Sequence, residues 1–168
     1  KRSASNILFV LAYLALALGL CGCSLETSAE NLFTLPQVPV EYTGLANTLN
    51  TYLESGYEYI TPSSDNNIQS LQMIDMNGDG EKEAVPFFRH TADDNPLKIL
   101  FFREENGTFS QYSTIESGGS SIDSVSFRDF NGDGRLEVVV GWRVSTEVQT
   151  VAVYELVPNQ VNMLMQSG

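Results

Sequence analysis

The chain has 168 residues, of which 42% are hydrophobic, 10% aromatic and 18% charged, proportions that exclude a disordered or collagen-like polymer. Twenty-one acidic residues against nine basic ones give a formal charge of −12. A surface so acidic repels nucleic-acid phosphates and anionic lipid, which excludes duplex readers and polybasic membrane binders and leaves cations as the natural partner.

Lys1 and Arg2 precede an apolar run from Ile7 to Leu20, the pattern of a secretory signal and shorter than the roughly 20 residues of a membrane-spanning helix. The segment Leu20-Cys21-Gly22-Cys23 then resembles the bacterial lipobox. That resemblance implies a signal peptide over 1–22 and a lipidated Cys23 as the new N-terminus. Cys21 would leave with the signal, so no disulfide is expected; cleavage near Ala29 of an ordinary secretory signal is the alternative. The expected location is the bacterial cell envelope, lipid-anchored and facing outside the cytoplasm, with the membrane as a partner through the anchor. Removal of 1–22 would take away two basic residues and no acid, leaving 21 acidic against seven basic side chains.

Residues 23–42 carry Ser, Thr, Asn, Pro36 and Pro39 without apolar periodicity and read as a tether. In 43–66, Leu45, Leu49, Tyr52 and Leu53 fall at i, i+4, i+7 and i+8, which predicts a helix of about three turns from Thr43, closed by Gly56. Tyr57 to Thr61 reads as a short lead-in strand and Pro62 to Asn67 as a polar turn.

The main organisational feature is a repeat. Ile68 to His90 set over Ile122 to Val144, a shift of 54 residues, gives ten identities in 23 positions without a gap. Each copy continues as strand, turn and strand: Leu97 to Arg103, Asn106-Gly107 and Phe109 to Ile115 in the first; Thr150 to Leu156, Pro158 to Gln160 and Val161 to Met165 in the second. The expected fold is therefore mainly β: two four-stranded antiparallel blade-like repeats of a β-propeller, residues 67–120 and 121–168, behind a short helix and an N-terminal signal helix. Propellers have about four to eight blades, so the two copies, with no Met ahead of Lys1, read as a fragment of a longer chain with more such blades.

The chemistry lies in the loop after the first strand of each repeat. Asp75-Met76-Asn77-Gly78-Asp79-Gly80-Glu81-Lys82-Glu83 and Asp129-Phe130-Asn131-Gly132-Asp133-Gly134-Arg135-Leu136-Glu137 share D-x-N-G-D-G-x-x-E. Oxygen-bearing side chains at positions 1, 3, 5 and 9 and the backbone carbonyl at position 7 can surround one hard cation, and the glycines allow the turn that points them inward. The metal-ligating set is thus Asp75, Asn77, Asp79, Glu81 and Glu83 in the first loop and Asp129, Asn131, Asp133, Arg135 and Glu137 in the second, Glu81 and Arg135 through their carbonyls. All-oxygen donors with no Cys or His beside them favour Ca²⁺, at two sites. An EF-hand needs an acid at position 12 and a following helix; here Pro86 and Val140 stand there and the next residues are strand-like.

On these loops and the strands that follow, residues 68–168 resemble the FG-GAP/VCBS repeat family, the calcium-loop blades of integrin-alpha-type propellers. The resemblance implies recognition or adhesion toward an extracellular protein or glycan, with no nucleic-acid partner.

No catalytic residue is expected. His90 is the only histidine and reads as a turn or surface residue; no G-x-S-x-G elbow is present, and the carboxylates that could form a glycosidase pair belong to the cation pattern. Asp93-Asp94 and Glu104-Glu105 read as solvated hairpin tips. Phe87, Phe88, Phe101, Phe102, Trp142 and Tyr154 are expected in the core between sheets, and Arg89 and Arg143 in structural ion pairs near the acidic loops. The expected function is that of a non-enzymatic, cell-surface lipoprotein with calcium-binding propeller-type repeats that serves as a binding, adhesion or scaffold module. The alternatives are a non-catalytic part of an exported enzyme whose active site lies in a missing C-terminal region, and a purely structural envelope lipoprotein.

Overall fold

A computed structural model describes residues 43–64, 69–157 and 160–168. The signal peptide, Cys23, the tether and Ile68 lie outside the described residues. Among the described residues no helix is long and apolar enough to cross a membrane.

The predicted helix, α1, spans Thr43–Glu54 and buries Leu45 and Leu49, two of the four positions on the apolar face. It stops as expected: Gly56 has φ 94°, its N–H donates to Leu53 O at 3.1 Å and the Tyr57 N–H donates to Tyr52 O at 3.1 Å. Those two bonds satisfy carbonyls of the last turn that would otherwise lack a partner, and the left-handed φ they require is unstrained only for glycine.

Among the described residues nine strands follow: β1 (Glu58–Tyr59), β2 (Leu71–Ile74), β3 (Glu83–Arg89), β4 (Leu97–Glu105), β5 (Thr108–Ser117), β6 (Ser121–Arg128), β7 (Glu137–Arg143), β8 (Gln149–Val157) and β9 (Gln160–Ser167). They form two antiparallel meanders, β2-β3-β4-β5 and β6-β7-β8-β9. The sheets are open, and their four-stranded form fits propeller-like blades.

The lead-in strand belongs to the first sheet rather than standing apart from it. β2 covers β3 from Glu83 to Pro86, and β1 covers the remainder, pairing Tyr59 with Phe88 and Glu58 with Arg89. In the second sheet β6 runs the whole length of β7, so the first sheet builds its outer strand from two pieces. The chain then crosses to the other sheet: the Ile60 N–H donates to Phe87 O at 3.0 Å, and the Ser63 and Ser64 N–H groups donate to Ile122 O and Asp123 O of β6 at 3.1 and 2.8 Å.

Two apolar clusters hold the fold. One lies between the sheets and joins Val85, Phe87, Ile99 and Phe101 to Val138, Val140, Trp142 and Tyr154. The other lies between α1 and the opposite face of the first sheet, and joins Leu45 and Leu49 to Ala84, Phe88, Leu100 and Phe102. Phe88 and Phe102 therefore do not belong to the inter-sheet core expected for them. Side chains alternate across a strand, so each Phe-Phe pair splits, one ring facing the second sheet and one facing the helix. Gly44 brings α1 onto the β4–β5 hairpin: a Cβ there would stand 2.6 Å from Gly107 O, closer than non-bonded atoms approach.

Candidate functional site

Each loop closes on its own carboxylates. In the first, Asp75 accepts from the Gly78 N–H at 2.7 Å and the Gly80 N–H at 2.9 Å, Asn77 Oδ1 accepts from the Asp79 N–H at 2.9 Å, and Asp79 Oδ1 accepts from the Glu81 N–H at 2.8 Å. In the second, Asp129 accepts from Gly132 and Gly134 at 2.6 and 3.0 Å, Asn131 from Asp133 at 2.9 Å, and Asp133 from Arg135 at 2.8 Å. The same four acceptors serve the same four donors 54 residues apart. Gly78, Gly80, Gly132 and Gly134 have φ between 77° and 90°, which explains why glycine stands at both fixed positions of each loop.

Glu83 and Glu137 begin β3 and β7 and are each only 2% exposed. Glu83 Oε2 accepts the Met76 N–H at 2.9 Å and Glu137 Oε2 accepts the Phe130 N–H at 2.8 Å. The second oxygen of each turns to the loop asparagine, with Asn77 Nδ2 at 3.4 Å and Asn131 Nδ2 at 3.2 Å. The same amide nitrogens donate to Asp79 Oδ2 at 2.8 Å and Asp133 Oδ2 at 3.2 Å. An amide NH₂ thus donates to two carboxylates, a neutral donor whose hydrogen bonds offset only part of their like-charge repulsion. The Asp79 carboxyl is held below its ordinary range by the Glu81 N–H and then by Asn77.

Among the described residues no three or more His, Cys, Asp or Glu side chains stand together in a metal-holding arrangement. Asp75 and Asp129 are turned to backbone N–H groups. The asparagine amides link positions 5 and 9, bringing Asp79 to Glu83 and Asp133 to Glu137. The carbonyls of Glu81 and Arg135 lie within the same turns. The donor set itself suits a hard cation: Asp, Asn, Asp and a buried Glu per loop, all oxygen donors once the asparagine presents its carbonyl oxygen.

The loops are neighbours. The Leu136 N–H donates to Met76 O at 2.9 Å, and a Cβ on Gly78 would lie 2.7 Å from Gly134 O. Motif spacing within each copy carried no signal of that contact. Sequence reading also missed Arg103: its guanidinium lies 4.6 Å from the Tyr112 ring centroid and its Nε lies 3.5 Å from Glu83 Oε1. The position 54 residues later is Val157, so the second loop has no counterpart of Arg103 there. A cavity of about 440 Å³ lies beside it, lined by Asp79, Glu81, Glu83, Arg103 and the Asn106-Gly107 turn.

Arg89 and Arg143 do not lie near the loops. They end β3 and β7, while the loops precede the start of those strands; Arg143 pairs with Asp123 and Arg89 Nη2 donates to Ser120 O at 2.6 Å. His90 is half-buried, stacked on Tyr57 with centroids 4.5 Å apart, and its Nδ1 lies 3.1 Å from Asp93 Oδ1. Asp93 is not a bare hairpin tip: it also holds Lys98 Nζ at 2.8 Å.

Residues 90–140 match the family described as FG-GAP-like repeat. That segment is similar to an FG-GAP-like repeat. The matched segment runs from the end of β3 through β4, β5 and β6 into β7 and contains the whole second loop. The first loop precedes the matched segment and is tied to the second loop by the 54-residue identity and by the duplicated hydrogen bonds. No curated protein and no solved structure matches the chain.

Proposed function

We propose that the chain is a calcium-stabilised, propeller-type binding module, held on a bacterial envelope by a lipid on Cys23 and engaging an extracellular protein or glycan without catalysis. One observation carries this reading: two loops of the same sequence make the same hydrogen bonds and hold Asp79 with the buried Glu83, and Asp133 with the buried Glu137, around a shared amide. A buried carboxylate beside a second carboxylate is costly without enough positive charge nearby, and Arg103, 3.5 Å from Glu83, offsets only part of that cost in the first loop. Calcium would supply that charge at Asp75, Asn77, Asp79 and Glu83 and at Asp129, Asn131, Asp133 and Glu137, with the carbonyls of Glu81 and Arg135 completing each set. Its chemical contribution is charge and rigidity, fixing the two adjacent loops as one surface.

The envelope reading rests on the Lys1-Arg2 start, the apolar run and Cys23. Fractionation of cells making the full chain tests it: the protein sediments with membranes, and Cys23→Ala releases it. A wild-type protein found in the cytosol would contradict the anchor. Screening of glycans and matrix proteins in millimolar calcium and in excess chelator tests the binding role, with capture expected only in calcium.

A further inference from the structure

A chain of hydrogen bonds runs from one buried glutamate to the other. Glu83 Oε2 accepts the Met76 N–H at 2.9 Å, and Met76 O accepts the Leu136 N–H at 2.9 Å. Leu136 directly precedes Glu137, whose Oε2 accepts the Phe130 N–H at 2.8 Å. Position 2 of the first loop is thereby bonded to position 8 of the second. The link is seated in the core between the sheets, where Met76 is buried and Leu136 packs on the same cluster. Position 8 of the first loop is Lys82, which is exposed, so the joint uses residues particular to each copy.

The bonded peptide is also part of the second donor set. The Leu136 N–H and the Arg135 carbonyl belong to one planar unit, so the peptide that offers the position-7 oxygen has its nitrogen held by the first loop. A second contact lies alongside: a Cβ on Gly78 would stand 2.7 Å from Gly134 O, and a backbone shift in either loop therefore meets the other. Such a shift is expected on cation entry. Asn77 Nδ2 and Asn131 Nδ2 face the carboxylates, while their Oδ1 atoms accept the Asp79 and Asp133 N–H groups. A cation takes oxygen, so each asparagine must turn its Oδ1 inward and release that N–H, one residue from Gly78 in the first loop and from Gly134 in the second.

We propose that the Met76–Leu136 bond and the Gly78–Gly134 contact couple the two loops, so that a cation at either one raises the affinity of the other; this rests on the cation reading given above. The first cation fixes the asparagine and backbone of its own loop and, through the two contacts, restricts the second loop. The second cation then meets a smaller ordering cost, and by linkage the effect is the same in both directions. Charge acts against this, because a filled loop attracts a second cation less strongly. At 0.15 M salt that effect is screened over about 8 Å, whereas the two backbone contacts are direct.

Calcium titrations of the parent chain, Asp79→Ala and Asp133→Ala by calorimetry at about 0.15 M salt measure the coupling. The product of the parent's two association constants should exceed the product of the two variants' single constants by at least about fivefold. Amide hydrogen exchange shows whether the effect crosses between loops. In Asp133→Ala, calcium at the first loop should slow exchange of the Phe130 amide, and in Asp79→Ala, calcium at the second loop should slow that of Met76. Equal products, or amides that do not respond across the loops, would leave two cation sites standing and overturn the coupling. A smaller product in the parent would overturn it in favour of repulsion between the cations. No binding heat in the parent chain would instead remove the cation reading itself, and the coupling with it.

Discussion

Gly78 lies against the carbonyl oxygen of Gly134, with room for no side chain: a Cβ would stand 2.7 Å from that oxygen. Gly80, two residues on in the same loop, has a similar positive φ of 90° but no heavy atom within 4 Å of where its Cβ would lie. The pair separates the cost of backbone conformation from the cost of the contact between loops. Gly80→Ala should lose about 1 kcal/mol, the expense of a left-handed residue, whereas Gly78→Ala should lose about 2–4 kcal/mol because the second loop must also move. Denaturant unfolding of the two variants checks this. Equal losses would mean that the contact between loops contributes nothing.

Arg103 should weaken cation binding at the first loop alone. Its guanidinium stands beside Glu83 and contributes to lowering the Asp79 carboxyl, after the Glu81 N–H and Asn77. It is partly solvated, which limits its effect to about 1 kcal/mol or less. Arg103→Gln is therefore expected to tighten calcium at the first loop by roughly twofold to fivefold and to leave the second loop as it was. A titration in which both sites shift together would remove the guanidinium from the site.

Acid should destabilise the protein through identified carboxylates. Asp93 is lowered by its hydrogen bonds to Lys98 and then His90, and Asp123 chiefly by Arg143. Asp79 is lowered by its loop N–H. Each folded-state value lies below the unfolded one of about 3.8–3.9, so the stability they contribute is fully present above that value and is lost as pH falls through the lower folded values. The unfolding midpoint should hold down to about pH 5 and fall below pH 4. Asp123→Asn should flatten part of that fall; a profile unchanged by this substitution would contradict the assignment.

Truncation of the helix face should cost as much as truncation of a sheet core. Leu49 is buried among Phe88, Leu100 and Phe102, and Leu49→Ala is expected to lose about 2–4 kcal/mol. A loss below about 1 kcal/mol would mean that α1 is a loosely attached element rather than the cover of the first sheet.

The strands and loops were legible because their signals are local: Val138-Val139-Val140, the Asn106-Gly107 turn and the two D-x-N-G-D-G runs each fix backbone geometry within a few residues. The helix was legible from Leu45, Leu49 and Gly56 for the same reason. Which side of a strand faces which partner was not, since Phe87 and Phe88 carry the same residue type to opposite faces and only tertiary packing assigns the faces. The position of Arg89 and Arg143 is hidden for a similar reason: their charge suits the acidic loops, but seven-residue strands carry them to the other end of the sheet. Arg103 gave no pattern, because it meets Glu83 across strands rather than within a motif.

The central claim is that the two loops are cation sites of the same kind, and calorimetric titration of calcium into the chain and into Asp79→Ala and Asp133→Ala tests it most directly. Two sites are expected in the parent chain, with affinities of about 10⁻⁴ to 10⁻³ M as in extracellular modules, and one site in each variant. No binding heat at millimolar calcium, or two intact sites in either variant, would contradict it.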